Sequence, residues 1–220
     1  MLVRGQSRMS VRDVFDHLLL GVSELDHGID WVEKHTGVRP AIGGVHPGRG
    51  TRNALISLGG PTIWKSSHRT GGSRGWIPQF QINGLPEPRL IRFAVRTIGI
   101  RATAASLRRA GEHPIGPTDG SRRTASGALL HWKTLGLDGK FRSGPVDPIP
   151  FFIEWAKDSI HPSKTAPTGC VIEDLHFEHP RADELRGALR VMGLDADVAQ
   201  AKQARIIALV KTLTGRAELT

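Results

Sequence analysis

Val14 to Val22 reads V-F-D-H-L-L-L-G-V, an apolar run with a single histidine, His17, set into it. As a strand it puts one polar side chain on a sheet face that is otherwise greasy, which marks a place for chemistry. Outward from it, Glu24 to His35 carries Leu25, Ile29 and Val32 at helical spacing, and Gly37 stops the helix. The glycine-marked stretch G-V-H-P-G-R-G-T-R-N-A-L-I-S-L-G, Gly44 to Gly59, then turns at Gly48 and Gly50 into a strand over Asn53 to Leu58.

The order strand, helix, glycine returns twice. Leu90 to Val95 predicts a strand, Ile100 to Ala110 a helix with Ala104 and Leu107 inward, and Gly111 its stop. Strands follow at Ala128 to Leu135 and Pro150 to Trp155, with G-L-D-G-K-F-R-S-G-P-V-D-P-I-P between them. A third, shorter unit has a strand over Cys170 to Phe177, a helix over Ala182 to Met192 and a stop at Gly193. It ends in a hairpin of Ala204 to Lys211 and Arg216 to Leu219 around Thr214-Gly215. Three such starts in 220 residues form an internal repeat.

Composition bounds what this repeat can do. With 220 residues and 39% hydrophobic content the chain can bury one substantial core or two small linked modules. No apolar run reaches the roughly 20 residues that span a bilayer, and M-L-V-R-G-Q-S-R-M-S lacks a secretory apolar segment. The expectation is a cytoplasmic protein with no membrane partner. The net charge of +9 would suit nucleic acid, but the arginines are scattered and no binding motif with aromatic interleaving is present, so no nucleic-acid partner is expected. Cys170 has no second thiol to pair with and reads as a buried strand residue. There is no G-x-S-x-G elbow, no Walker loop and no G-x-G-x-x-G opening a helix.

A strand, a helix and a short meander make a βαβββ unit, and at this point the chain resembles glyoxalase-like domain proteins of the vicinal-oxygen-chelate superfamily. The resemblance rests on D-H-L-L-L-G-V at Asp16 to Val22, H-P-G-R-G-T-R-N-A-L at His46 to Leu55 and F-A-V-R-T at Phe93 to Thr97. V-D-P-I-P-F-F-I-E-W at Val146 to Trp155 and His179-Pro180 complete it. It implies an α+β fold in which paired βαβββ units form a curved mixed sheet, with a partial third unit at the C-terminus. The expected divisions are an extension over 1–12, a first unit over 13–88, a second over 89–160, and a third over 161–220 packed into the same domain. A homodimer is expected by analogy alone.

The resemblance also implies a site: a divalent metal with open positions for a substrate's vicinal oxygens. His17 stands at the first ligand position and Glu154 at the last, whereas Arg92 or Phe93 occupies the equivalent place opening the second unit, so the ligand set is incomplete. Glu154, a carboxylate in an apolar run, needs a cation, a donor or a raised pKa and is a candidate catalytic base as well as a ligand. Alternation puts it on one face with Phe152, and Phe151, Ile153 and Trp155 on the other. His17 reads equally as a satisfied core histidine. Arg92 would bind an anionic substrate group or pair with Glu154; Trp132 and Phe152 would line the pocket or belong to plain core. His46 and Asn53 are substrate-contact candidates whose plainer duty is to close the turn at Gly48. His161 and His179, each before a proline, read as solvent-facing turn residues.

One segment disagrees with the rest. Pro61 to Trp76, P-T-I-W-K-S-S-H-R-T-G-G-S-R-G-W, falls where related domains carry an apolar strand such as Y-L-E-I-I-A-P-D-P, and it lacks any alternating apolar face. Residues 62–70 written as ACC ATC TGG AAA TCA TCG CAC CGG ACC translate, two bases later, as H-L-E-I-I-A-P-D. A reading-frame error beginning near Gly60 and compensated before Ile77 would produce this segment; genuine divergence is the alternative. Two functions follow: a metal-dependent enzyme acting on a small oxygen-bearing molecule, or a metal-free protein that sequesters such a ligand in the same pocket.

Overall fold

The computed structural model describes residues 8–46, 51–60, 63–69, 85–124, 127–137 and 139–220; the side chains of residues 45, 46, 51 and 63–69 lie outside the description. The first unit runs β2 (Phe15–Gly21), α2 (Leu25–Thr36), β3 (Ala41–His46), β4 (Thr51–Ser57) and β5 (Ile63–Arg69), preceded by β1 (Met9–Ser10) and the single turn α1 (Val11–Val14). The second runs β6 (Arg89–Arg96), α3 (Ile100–Arg109), β7 (Ile115–Arg123), β8 (Leu129–Gly136) and β9 (Phe151–Trp155). The predicted glycine stops hold for a physical reason. Gly37, Gly111 and Gly193 follow their helices at φ 71°, 84° and 79°, in the left-handed region where a Cβ is penalised.

Both units lie in one eight-stranded sheet of order β3-β4-β5-β2-β6-β9-β8-β7. Within each unit the last strand returns parallel to the first: β5 beside β2, with His17 opposite Ile63, and β9 beside β6, with Ala94 opposite Phe151. The units join through the antiparallel β2–β6 pair. Although β3 and β7 are opposite edges, the Arg122 guanidinium on β7 donates to the Gly43 carbonyl of β3, so the sheet curls until its edges meet.

The segment whose side-chain pattern is poor for a strand nonetheless forms one over Ile63–Arg69. β5 pairs with β4 along Thr51–Ser57 and with β2 along His17–Gly21, which corrects the reading of Ile63–Arg69. A central strand has backbone partners on both sides, and these override a poor side-chain pattern. Residues 61–62 and 70–76 lie outside the described residues.

The third unit forms a sheet of its own. β10 (Val171–His179), α4 (Ala182–Val191), β11 (Leu194–Asp195), β12 (Val198–Gln200), β13 (Arg205–Thr212) and β14 (Gly215–Leu219) follow in sequence, and the sheet has the order β12-β10-β13-β14. β11 instead pairs with β1, which ties the N-terminal residues to this unit. Phe93 of β6 and Phe177 of β10 pack with ring centroids 5.0 Å apart, inside one buried cluster that also holds Leu18, Val32, Leu107, Phe152 and Leu185. That cluster contains the inward residues of α3 and α4 and Val32 of α2, so it marks the helix-covered face, while Leu25 and Ile29 of α2 pack separately with Ala54. The opposite face carries a second cluster of Leu19, Ala94, Leu130, Trp132, Phe151 and Ile153, with no helical residue in it.

Candidate functional site

His17 sits near the start of β2, where pairing with β6 slips between Phe15 and His17. The slip makes Asp16 the extra residue, and a bulge of this kind re-aims a side chain. Asp16 is fully buried and His17 is 3% exposed. His17 Nδ1 donates to Asp16 Oδ1 at 2.6 Å, and Trp155 Nε1, from the end of β9, donates to Oδ2 at 3.1 Å. His161 places Nε2 3.4 Å from the same Oδ2. The Ser163 backbone N–H donates to His161 Nδ1 at 3.2 Å, so in the neutral ring the proton lies on the nitrogen facing Asp16. Burial alone would raise the Asp16 carboxyl, but the contacts from His161 and His17 outweigh it and hold the group well below the usual carboxylate range. An ionised carboxylate only accepts, so it fixes the proton of His17 on Nδ1 and leaves Nε2 as the basic nitrogen.

Phe151 links this cluster to Arg92. Its ring centroid lies 5.4 Å from that of His17, edge on, and 5.4 Å from the Arg92 guanidinium carbon. Arg92 is 2% exposed, on the strand beside His17. Arg92 NH2 lies 3.7 Å from Asp147 Oδ2, and Nε donates to the Ile149 carbonyl at 3.4 Å. Burial pulls the guanidinium below its ordinary pKa and pushes the Asp147 carboxyl up, with each charge partly restoring the other. Even so, the guanidinium stays a cation.

The two expected metal ligands do not meet. Glu154 faces the helix side, where Oε2 accepts the Ile100 backbone N–H at 3.0 Å and so satisfies an orphan donor in the first turn of α3. Arg92 pairs with Asp147 rather than with Glu154. Phe152 belongs to the helix-side core. Trp132 is on the helix-free face against Trp155, centroids 5.4 Å apart, and Asn53 is buried on β4 at 1% exposure. The backbone of His46 closes β3, and its side chain lies outside the described residues. His161 and His179 are not solvent-facing: His161 joins Asp16, and His179 is 4% exposed with Nε2 against the Phe141 carbonyl at 3.0 Å. Cys170 is buried, which pushes its thiol up.

Among the described residues no group of three or more histidine, cysteine, aspartate or glutamate side chains is arranged to hold a metal ion. The chemistry of the set points the same way, because a guanidinium beside His17 repels a dication while Asp16 already engages the His17 Nδ1 proton. The described donors do not fit a divalent metal. Asp16 and Asp147 were not singled out in the sequence, and Trp155 and His161 were read only as a packing and a turn residue; the adjacency D-H opening an apolar strand was the available signal for Asp16.

Paired βαβββ units meeting through their first strands define a fold of the vicinal-oxygen-chelate superfamily. Residues 15–193 match the glyoxalase-like domain, and the chain belongs to that family. A hypothetical protein from Staphylococcus aureus superposes with a TM-score of 0.68 at 16% identity, covering 87% of both chains. Methylmalonyl-CoA epimerase from Mycobacterium tuberculosis gives 0.44 at 20% identity over 70% of this chain and 91% of that one. The Streptomyces coelicolor epimerase in complex with 2-nitronate-propionyl-CoA gives 0.48 at 18% over 67% and 97%. These likenesses concern the fold alone. No curated protein matches the chain.

Proposed function

We propose that this glyoxalase-like protein binds a small oxygen-bearing anion on the helix-free face of its sheet without a metal, and that Arg92 is the charge that receives it. The observation that carries the reading is a buried guanidinium on β6, next to His17 and over the Phe151 ring, where a chelating site would need an acid or an imidazole. A guanidinium grips a carboxylate through two parallel N–H bonds, and an apolar surround strengthens that grip.

The Asp16–His17 pair favours a second reading in which the bound molecule also loses a proton. The histidine is held in one tautomer, with its basic nitrogen away from Asp16, which is what a general base requires. Calorimetric titration with glycolate and with lactate, in EDTA, tests the first reading. One-site binding that weakens at least tenfold in Arg92→Met is expected. Binding that appears only when Mn²⁺ or Zn²⁺ is added, and disappears in His17→Ala, would overturn it in favour of a metal enzyme. Deuterium exchange at the α-carbon of bound lactate, lost in His17→Gln, tests the second.

A further inference from the structure

A cavity of about 450 Å³ opens where the two edges of the curled sheet meet, between β3–β4 and β7–β8 and against the loop from Asp158 to Ala166. None of the residues around His17 and Arg92 lines it. Its walls are mostly apolar, with Ile42, Leu55, Leu129, Leu130 and Ile160 among them. Three of these remain exposed large apolar side chains: Ile42 at 56%, Leu129 at 43% and Ile160 at 62%. Such clustering marks a binding surface more often than chance exposure does.

Among the described residues that line this apolar cavity, one is a cation. Arg122 is 5% exposed, and its guanidinium donates to the Gly43 carbonyl across the sheet edges. No ion pair among the described residues involves it, and burial lowers its pKa with no acid acting in return. Asp158 lines the same cavity but is exposed and makes no ion pair with Arg122. A guanidinium has five N–H donors in a planar fork, and one carbonyl uses few of them. A buried cation lacking a counter-charge is costly, so an anion that reached it would bind strongly.

We infer that this cavity is a binding site for a medium-chain, singly charged amphiphilic carboxylate, with the carboxylate on Arg122 and the hydrocarbon against Ile42, Leu55, Leu130 and Ile160. The one cation among the described lining residues matches a monoanion better than a dianion. At about 30 Å³ per water-sized group, the volume holds roughly fifteen such groups, enough for a ten-carbon acid.

Decanoate, with decanol as the uncharged comparator, tests the site by calorimetry on the intact protein. Decanoate should bind at one site and weaken by about tenfold or more in Arg122→Met, while decanol should bind more weakly and be indifferent to that change. Arg92→Met should leave decanoate affinity unchanged, which separates this site from the one proposed around His17. Equal affinity for decanol and decanoate, undiminished decanoate binding in Arg122→Met, or an equal loss in Arg92→Met would each overturn the assignment. Should Arg122→Met lose its fold by circular dichroism, Ile42→Trp decides. That substitution fills the mouth from an exposed position and should block decanoate; retained affinity would overturn the site.

Discussion

Replacing Asp16 by asparagine removes the charge at the centre of the candidate site while keeping its shape. The carboxylate has two short donors, His17 Nδ1 at 2.6 Å and Trp155 Nε1 at 3.1 Å, and a third nitrogen, His161 Nε2, at 3.4 Å. An amide oxygen can keep part of this set, but the amide NH₂ then faces a donor, so at least one buried N–H is left unsatisfied. Breaking a buried charged cluster from one side costs about 3–5 kcal/mol, a large share of the roughly 5–15 kcal/mol that holds a domain together. For a chain of this length that is a fall in Tm of about 6–20 °C. Urea unfolding followed by tryptophan fluorescence at pH 7 measures the difference directly. The pH dependence gives an independent check. The folded Asp16 pKa lies below its unfolded value, so the stabilisation is full above the unfolded carboxyl pKa of about 3.9 and is lost as pH falls through the folded value. The gap between wild type and Asp16→Asn should therefore hold from neutral pH to about 5 and shrink in stronger acid. A gap under about 1 kcal/mol at pH 7, or one that does not shrink in acid, would refute the account of Asp16 as an ionised hub.

Three further outcomes follow from particular contacts. Glu154→Gln keeps an oxygen for the Ile100 N–H and loses only the favourable charge at the start of α3, so it should cost under about 1 kcal/mol and leave glycolate titrations unchanged; a collapse of binding would return Glu154 to the site. Gly28→Ala gains about 1 kcal/mol of helix propensity but sets its Cβ 2.7 Å from Val22 Cγ1. The clash between α2 and Val22, just past the end of β2, should win, lowering stability by about 1–3 kcal/mol in urea, and a stabilised variant would show that the helix shifts freely. Sequencing the coding DNA across residues 58–78 should reveal codons that translate, two bases on, into an apolar strand with a glutamate; codons that permit no such reading leave divergence as the explanation.

How far the sequence could be read depended on which interactions are local. The three strand–helix–glycine starts were visible because apolar spacing and a left-handed glycine are local requirements, met at Gly37, Gly111 and Gly193. β3 and β7 were missed as strands. They are the edges of the sheet, and the described burial along β7 is mostly intermediate or exposed, with only Arg122 buried, so neither carries an apolar alternation. The site was half legible. His17 stood out as a polar residue in an apolar strand and Arg92 through the family resemblance, whereas Asp16 owes its place to a one-residue slip and His161 to a loop that returns from β9, neither of which periodicity encodes. Glu154 was correctly identified as a carboxylate needing a partner; what periodicity could not supply was that the partner is a backbone N–H of α3.

The register of β5 gives the frame question a functional edge. Leu19 pairs with Lys65 on one side and with Arg92 on the other, so position 65 and Arg92 stand in one cross-strand row. In the shifted translation the glutamate codon straddles those of Trp64 and Lys65. A chain with the frame restored would thus carry an acid in or next to the row of Arg92, two strand spacings or about 10 Å away. At an effective dielectric near 20, opposite unit charges at that distance interact by about 1.7 kcal/mol, roughly a tenfold or greater effect on binding. The acid would oppose an incoming carboxylate by that amount and add an oxygen ligand near His17, weakening anion binding and favouring a cation at the same point. The restored protein should therefore bind glycolate about tenfold more weakly than the present chain in EDTA and recover affinity when Mn²⁺ is supplied. If both proteins bind glycolate alike under both conditions, the strand β5 does not reach the chemistry of Arg92, and the present segment is a tolerated variant of the fold rather than a change in what its site can hold.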